Sequence, residues 1–475
     1  MMMDFYEMTM SYGYFRQTHG DVRVAFDLFF RSVPDRGGYA VFAGLEHVIE
    51  FVENLSFSDE DIDYFRAQNL FSEEFLSFLR GFRFRGDIYA VPEGTIIYPN
   101  EPLMTIVAPI IDAQLIETAI LAQINHQSLI ATKASRIVRA AEGRKVSDFG
   151  ARRAHNMDAA TYGARAAYIG GVDMTATVSA GQQFGIPISG TMAHSWVMFF
   201  EDEFAAFKKY AELYPQATVL LVDTYDVLHS GIPNAIRTAH EVLAPRGHRL
   251  AGVRIDSGDL AYLSKRVRTM LDDAGLTDCK IILSNSLDEF TISSLLLQGA
   301  QVDSFGVGER LITAKSDPVF GAVYKLVAVE KDGVFAPRIK MSENVEKLTN
   351  PGIKDLYRIY DRHGKAVADM LAMRGEEIDL TKPFRYVDPR KPWKNRFFEG
   401  FSAVNLRRLY VREGQRVEEL PSLDEIRAYV QKQLTEEIWP EEQRFENPHR
   451  HYLDMTPMYY EVKMGLLDDM RGKHS

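Results

Sequence analysis

The sequence predicts an α/β protein organised around an irregular (α/β)-barrel. From residue 144 onward, short β-branched runs are each followed by polar or glycine residues and then by an amphipathic helical stretch. This alternation is typical of parallel βαβ units, and about eight such units suit a barrel. A doubly wound open sheet is the alternative architecture.

Eight runs are predicted to be the strands of this barrel. They lie at residues 145–149, 174–178, 186–190, 218–222, 252–255, 280–283, 302–305 and 323–329. The second and third runs are weak, which favours an irregular barrel over a regular one.

The segments on either side of the barrel have different patterns. Alternation with period two over residues 86–109 predicts short strands, and residues 115–142 predict one long helix that ends at Gly143. After residue 330 the pattern breaks into hairpins and short helices. We therefore expect an N-terminal α+β domain (1–143), a barrel domain (144–330) and a C-terminal region (331–475) that partly completes the N-terminal domain.

Composition narrows the class of protein. A chain of 475 residues exceeds what one hydrophobic core usually organises, and its net charge of −11 argues against nucleic acid or an anionic membrane as the main partner. The single cysteine, Cys279, rules out an internal disulfide and suits a reducing compartment. No apolar run reaches about 20 residues and no secretory signal is evident. We expect a cytoplasmic protein without a membrane span.

Polar residues follow six of the predicted strands, where parallel βα folds carry their chemistry. Arginines there suit multiply anionic ligands, loops next to helix starts suit phosphate, and paired carboxylates suit Mg²⁺ or a developing cation. The candidate site residues in these six loops, including one aromatic residue and two glycines, are Phe149, Arg152, Arg153, Thr191, His194, Asp223, Arg254, Asp256, Ser284, Asn285, Gly306 and Gly308. They predict an enzyme acting on a phosphorylated, anionic small molecule, and they leave the reaction open.

Each loop also has a purely structural explanation. Thr191 could cap a helix with His194 packed behind it, and Asp256 or Asp259 could cap the helix that follows. For a single loop these explanations are as good as the functional one. All six polar loops are expected to meet at the edge of the barrel where its strands end, which we call the rim. Their convergence there favours a functional explanation over a structural one.

Several short motifs are collinear and together span essentially the whole chain. They lie at residues 4–10, 150–154, 190–195, 254–260, 305–308, 321–328 and 420–423. Taken together, these motifs resemble the nicotinate phosphoribosyltransferase family of type II phosphoribosyltransferases.

The resemblance implies a split N-terminal domain packed on an irregular barrel, with a C-terminal extension. It implies a reaction in which nicotinate and phosphoribosyl diphosphate give nicotinate mononucleotide and diphosphate, the first step of NAD salvage from nicotinate. ATP hydrolysis would drive the reaction through a phosphohistidine at His194, with Mg²⁺ required. Apart from the resemblance, the residues themselves make Asp223 and Asp256 the expected catalytic carboxylates, which could hold Mg²⁺ or stabilise a developing cation.

The resemblance also implies roles for the substrate-binding residues. Tyr6 and Phe149 would sandwich the pyridine ring, with Thr191 and Arg254 around nicotinate. Arg152 would contact diphosphate or the ribose phosphate, and the 5′-phosphate would lie in a cradle formed by backbone N–H groups of Ser284, Asn285, Gly306 and Gly308. Arg153 is expected to bind anionic groups from its place among the arginines alone. Relatives complete the active site across a homodimer interface, so Tyr6 is expected to act in the neighbouring subunit.

Other activities remain as alternatives. Nicotinamide phosphoribosyltransferases resemble this chain but carry an Asp where Ala176 precedes Thr177, which favours the acid substrate here. Quinolinate phosphoribosyltransferase, an aldolase with Lys325 as a Schiff-base former on the last barrel strand, and a non-catalytic pyridine-nucleotide sensor are more distant alternatives. Glu309, which replaces a Thr of many relatives, is given no ligand role.

Overall fold

A computed structural model of the chain describes residues 2–17, 19–340, 348–378, 383–387 and 395–474. Contacts divide the chain into two compact units, one made of Met1–Leu129 with Val319–Ser475 and the other of Ile130–Pro318. The domain limits expected at residues 143 and 330 remain predictions. None of the helices in these described ranges is long and apolar enough to span a membrane.

The N-terminal part of the first unit mixes helices with short strands, as predicted. Ser58 closes a capping box with Asp61, and Ser72 caps the next helix by accepting from Phe75 N. The long predicted helix forms. The elements are α1 (Phe5–Arg16), β1 (Arg23–Phe29), β2 (Ala40–Val41), α2 (Leu45–Asn54), α3 (Asp59–Ala67), α4 (Glu73–Arg80), β3 (Asp87–Ala90), β4 (Ile96–Ile97), β5 (Met104–Pro109), α5 (Ile110–Gln114) and α6 (Glu117–Ala140).

The second unit is built on a six-stranded sheet in which every pairing is parallel. Its strands are β6 (Lys145–Asp148), β7 (Met174–Thr175), β8 (Val219–Leu221), β9 (Gly252–Ile255), β10 (Lys280–Ser284) and β11 (Ser304–Val307). Its helices after α6 are α7 (Met157–Ile169), α8 (Val178–Phe184), α9 (His194–Phe199), α10 (Glu203–Leu213), α11 (Ile232–Thr238), α12 (Leu260–Asp273), α13 (Glu289–Leu297) and α14 (Glu309–Ile312).

The strand order of this sheet is that of a barrel opened at one place. The order is β7-β6-β11-β10-β9-β8, and a single bridge adds Ile188 beside Thr175. Neighbours therefore follow one another around a ring, but no pairing between Ile188 and β8 closes that ring in the described chain. The α/β class and the irregularity are confirmed, whereas barrel closure is not seen.

The eighth predicted strand forms, but its assignment to the barrel was wrong. β12 (Val323–Lys331) belongs to the first unit, where it pairs antiparallel with β1 and with β13 (Val334–Pro337). The rings of Phe26 and Tyr324 stack across this pair with centroids 4.6 Å apart. A β-branched run predicts a strand without identifying its partner. Lys325 therefore does not lie on a barrel strand, which removes the structural basis of the aldolase alternative.

The remaining elements complete the first unit. They are β14 (Lys354–Tyr360), β15 (Ala366–Met373), β16 (Phe384–Val387), β17 (Asn395–Phe398), β18 (Ser402–Asn405), β19 (Arg408–Arg412), β20 (Gln415–Arg416), α15 (Leu423–Lys432), β21 (Leu453–Met455) and α16 (Pro457–His474). One sheet has the order β13-β12-β1-β5-β3-β19-β20, a second has the order β17-β16-β21-β15-β14-β18, and β2 pairs with β4. The first sheet thus combines strands from both ends of the chain.

A buried polar network also joins the two ends of the chain within this unit. Arg358 donates from Nε and Nη2 to the two oxygens of Asp369, at 2.9 and 2.6 Å, and from Nη2 to the Ile96 carbonyl at 2.8 Å. His451 lies between Asp369 and Glu442. Because each buried charge has an opposite partner, the network avoids much of the cost of desolvating isolated charges.

Candidate active site

The predicted site residues of the second unit lie at the carboxyl ends of its parallel strands. Phe149 follows β6, Asp223 lies just beyond β8, Asp256 follows β9, and Ser284 ends β10. The parallel pairings bring these ends to one edge of the sheet. The convergence expected from the sequence is therefore present.

His194 is the first residue of α9, and its side chain is 40% exposed. The N-cap position is occupied by Ala193, which provides no side-chain cap. The hydroxyl of Thr191 instead accepts a hydrogen bond from Nη1 of Arg254 at 2.6 Å. The structural alternative for this stretch, with Thr191 as cap and His194 packed behind it, is therefore wrong.

The imidazole of His194 lies between two carboxylates and a hydroxyl. Its Nε2 is 4.0 Å from Asp223 Oδ1 and 3.9 Å from Asp256 Oδ2. Its Nδ1 is 3.2 Å from Oγ1 of Thr224. A ring held this way presents a defined orientation, and its Nε2 edge faces concentrated negative charge.

The two carboxylates are themselves held by neighbouring residues. Asp223 Oδ2 accepts from Ser257 Oγ at 2.6 Å and from Asp256 N at 3.2 Å, while Ser284 donates to Asp256 Oδ1. Asp223 Oδ1 is buried and has no hydrogen-bond partner in the described chain. The cap of α12 is Asp259, which accepts from Tyr262 N. Asp256 is therefore not the helix cap.

Arg254 forms the cationic part of the rim. Burial lowers the pKa of its guanidinium, while the carboxylates of Asp256 and Asp223 act in the opposite direction. Its Cζ lies 5.8 Å from the ring centroid of Phe149, and its Nε is buried without a hydrogen-bond partner in the structure as described. A partly buried guanidinium with an unused donor next to an aromatic face suits a planar aromatic acid.

Glycines allow the ring of Phe149 to lie against the neighbouring strand. Phe149 N donates to the Val307 carbonyl at 2.7 Å. A Cβ at Gly306 would lie 2.3 Å from the Phe149 ring, and one at Gly308 would lie 3.1 Å from the Phe149 carbonyl oxygen. Gly306 is therefore required by close packing.

The loop after β10 has an unusual backbone. Asn285 and Ser286 have φ angles of 96° and 48°, in the left-handed region that non-glycine residues seldom adopt. Two such residues in succession are typical of functional loops, where neighbouring structure maintains the strain. The loop leads to Asp288, which caps α13 and accepts from Arg310.

The other two predicted arginines are more peripheral. Arg152 and Arg153 are both exposed, and Nε of Arg153 is 3.8 Å from Glu309 Oε2. Glu309 also accepts from Lys315 Nζ at 2.6 Å, and that hydrogen bond holds the pKa of its carboxyl below the usual range. Glu309 is thus engaged by two cations on the surface.

Comparisons with known proteins cover the whole chain. Residues 1–125, 144–350 and 353–463 match the models of the nicotinate phosphoribosyltransferase N-terminal domain, family and C-terminal domain. The chain is 45% identical over 473 residues to the nicotinate phosphoribosyltransferase of Bacillus subtilis, covering 99% of this chain and 95% of that protein. It belongs to the nicotinate phosphoribosyltransferase family.

More distant relatives agree with this assignment. The nicotinate phosphoribosyltransferase of Caenorhabditis elegans is 34% identical, with 97% of this chain and 92% of that protein covered. The crystal structure of human nicotinic acid phosphoribosyltransferase superposes with a TM-score of 0.87 at 29% identity, covering 98% of this chain and 100% of that one. The fold class is thus shared along the full chain, and the alternative activities are not favoured.

Tyr6 is the one predicted site residue that lies in the first unit. It is 43% exposed on α1. The partial burial of its phenol, and then the negative charge of Glu117, raise the pKa of Tyr6. Glu117 in turn accepts a hydrogen bond from Gln114. Its contact with the pyridine ring remains a prediction.

Sequence reasoning gave no role to four residues whose side chains support the predicted site: Asp148, Thr175, Thr224 and Ser257. Asp148 and Thr175 are buried, and Thr224 and Ser257 contact His194 and Asp223. Thr224 and Ser257 adjoin predicted site residues, which was an available signal. Thr175 offered none, because its partner Asp148 lies 27 positions away.

Replacing Gly306 by alanine should displace the Phe149 ring. The added Cβ has no room, so we expect the variant to lose about 1–3 kcal/mol of unfolding free energy and to show a moved ring in its crystal structure. Urea denaturation measures the first effect. Gly13→Ala is the control: a Cβ there meets nothing within 4 Å, and alanine inside α1 should raise the unfolding free energy by about 0.5–1 kcal/mol rather than lower it. An unmoved ring with wild-type stability in Gly306→Ala would contradict the packing argument.

Proposed function

We propose that the protein transfers the phosphoribosyl group of phosphoribosyl diphosphate to nicotinate and couples this transfer to ATP hydrolysis through phosphorylation of His194. The pyridine nitrogen bonds to C1 of the ribose as the bond from C1 to diphosphate breaks, giving nicotinate mononucleotide and diphosphate. The observation that carries the proposal is the His194 imidazole between Asp223 and Asp256, with the partly buried guanidinium of Arg254 interacting with the same two carboxylates.

Nicotinate binding is assigned to Arg254, Thr191 and Phe149. Arg254 offers an unused Nε donor to a carboxylate, and Phe149 offers a ring face next to that guanidinium. The rim would therefore orient the weak pyridine nucleophile, and positioning of this kind supplies a large part of catalysis when two substrates must meet. We propose that the carboxylates of Asp223 and Asp256 stabilise the positive charge that develops on the ribose as diphosphate leaves.

The phosphate groups are assigned to the loops at 284–286 and 306–308, with Arg152 and Arg153 at their edge. Backbone N–H groups of Asn285, Gly306 and Gly308 would cradle the 5′-phosphate. Ser284 contributes its backbone there, because its hydroxyl is engaged by Asp256. The exposed arginines can bind diphosphate. To do so, Arg153 would break its contact with Glu309 and form one with diphosphate instead.

Coupling to ATP is assigned to the Nε2 edge of His194. The γ-phosphate of ATP would pass to the ring and ADP would leave. Hydrolysis of the phosphohistidine would later release inorganic phosphate. Added negative charge about 4 Å from two carboxylates changes the electrostatics of the rim strongly, because unscreened charges at that separation interact by several kcal/mol. Phosphorylation would thus alter how the rim holds diphosphate.

The residues fit Mg²⁺ as a metal shared with the substrate. Within the described residues, no group of three or more His, Cys, Asp or Glu side chains could hold a metal ion alone. Asp223 Oδ1 nevertheless has no hydrogen-bond partner and faces the same histidine as Asp256 Oδ2. Mg²⁺ usually takes one or two carboxylates together with waters and substrate phosphates. We propose that Asp223 and Asp256 hold it, where it would neutralise diphosphate charge.

Diphosphate release tests the activity directly. We expect turnover with nicotinate and phosphoribosyl diphosphate, stimulated by ATP and abolished by EDTA, with nicotinamide and quinolinate at least about a hundredfold less efficient because Arg254 would face an amide or a second acid group. Nicotinamide used as well as nicotinate would contradict the proposal, and so would binding of nicotinate without any diphosphate release.

Replacing His194 by alanine tests the coupling. We expect the variant to lose ATP stimulation and ATPase activity while retaining slow ATP-independent synthesis, because the phosphate acceptor is removed and the binding residues are kept. His229→Ala is a matched control, since that side chain is 84% exposed. Equal ATP stimulation in wild type and His194→Ala would reject the role of His194.

We also propose a cytoplasmic homodimer with shared active sites. The single cysteine suits a reducing compartment. Phe5, Tyr6 and Met10 expose apolar surface on α1, which suits contact with a second copy.

Coexpression of two inactive variants tests this sharing. Tyr6→Ala and Arg254→Ala, carrying different tags, should each be weakly active as homodimers. The doubly tagged heterodimer should recover about half of the wild-type activity, because one of its two sites is intact under twofold symmetry. Sedimentation should report a dimer. A monomer, or a heterodimer as inactive as its parents, would contradict shared sites.

A further inference from the structure

We propose that the buried pair Asp148–Thr175 is a positioning element that fixes Phe149 relative to Thr191 and thereby sets the affinity for nicotinate. The inference rests on the proposed function, because it concerns the residues assigned there to the pyridine ring and its carboxylate. Both members of the pair lie beneath the rim, with exposures of 0% and 1%, so neither touches substrate.

The carboxylate of Asp148 connects two loops. Its Oδ1 accepts from Gly150 N, and its Oδ2 accepts from Thr175 Oγ1, each at 2.8 Å. Oγ1 of Thr175 accepts in turn from Thr177 N at 3.0 Å. The two side chains therefore link the loop that carries Phe149 to the turn that contains residue 176.

Backbone hydrogen bonds extend this link to the segment before the histidine. Thr175 N donates to the Pro187 carbonyl at 3.0 Å, and Ser189 N donates to the Thr175 carbonyl at 2.9 Å. Ser189 lies two residues before Thr191. Movement of Thr175 would therefore move both the Phe149 side and the Thr191 side of the assigned nicotinate site.

Side-chain hydrogen bonds matter at the β7 edge of the sheet because few residues pair through their backbones there. β7 has two residues and two pairs with β6, and the segment beyond it makes one bridge. By contrast, β9 and β10 make four pairs. A short ladder fixes position poorly, and the Asp148 carboxylate supplies restraint that backbone pairing supplies elsewhere.

Restraint by a buried carboxylate costs free energy, because the carboxylate must be removed from water. Burial raises the pKa of Asp148, and its hydrogen bonds from Gly150 and Thr175 only partly offset this. An apolar pair of the same volume would pack without that cost but would not fix the two loops in one direction. Hydrogen bonds with defined geometry therefore point to positioning rather than to packing alone.

Substitution of Thr175 by valine tests the proposal, with Thr175→Ser as the conservative variant. Valine keeps the volume and removes the hydroxyl, so Phe149 and Thr191 lose their fixed separation. We expect KM for nicotinate to rise about ten- to hundredfold while kcat changes less than about threefold. Thr175→Ser should stay within about threefold of the wild-type KM.

Thr218→Val is the matched control for a loss of stability. Thr218 is also fully buried and donates to the Tyr214 carbonyl at 2.7 Å, but it lies at the amino end of β8. A purely structural effect would lower the active fraction, and so the apparent kcat, in both valine variants without changing KM for nicotinate. An unchanged KM in Thr175→Val would therefore overturn the proposal.

A second variant covers the case in which Thr175→Val does not fold. Asp148→Asn keeps the volume and an acceptor for Gly150 N while weakening the bond to Thr175, and it should raise KM for nicotinate by about tenfold. A wild-type KM in Asp148→Asn would equally overturn the proposal. Failure of the proposed function would be seen separately, as absent nicotinate turnover in the wild-type protein.

Discussion

The parallel pairing of β6 with β11 is the interaction on which the second unit depends. Its register aligns Phe305 with Val146 and Val307 with Asp148, although these strands are the first and the last of the sheet in chain order. The pairing returns the series of βα units to its starting strand and brings the 149–153 loop next to the 306–308 loop. Because all neighbours are parallel, their carboxyl ends then share one edge, and every loop assigned to a substrate group projects from it.

The positive charge expected to bind the substrates at that edge is local, because the chain as a whole is negatively charged. The protein carries a net charge of −11, yet its assigned substrates are anions. A partly buried guanidinium acts in a less polar medium than bulk water, so Arg254 next to Phe149 can outweigh distant surface carboxylates that solvent screens. Asp223 and Asp256 lie around His194 and also act on Arg254. The same strand ends therefore bring one cation and two carboxylates under each other's influence.

The sequence predicted most strands and the residues at their ends, because short β-branched runs followed by polar loops are local signals. It did not predict which strands are neighbours. The run at 323–329 became a strand of the first unit, since its antiparallel partner β1 is far away in the chain. Thr191 met the criteria for a helix cap, but a hydrogen bond from Arg254, 63 positions away, engages its hydroxyl. Asp148 was given no role for the same reason, since its partner Thr175 lies 27 positions away.

The backbone and the side chain of residue 176 are constrained differently. Its N–H donates to the Asp148 carbonyl at 2.8 Å, so the backbone there is held by the strand next to it. Its side chain is exposed and contributes little to packing. A substitution at this position therefore leaves the pairing of β6 with β7 in place. Beneath it, the side chains of Asp148 and Thr175 connect the same two strands by a hydrogen bond. The backbone at residue 176 is thus held by two kinds of hydrogen bond, while its exposed side chain can differ without loss of packing.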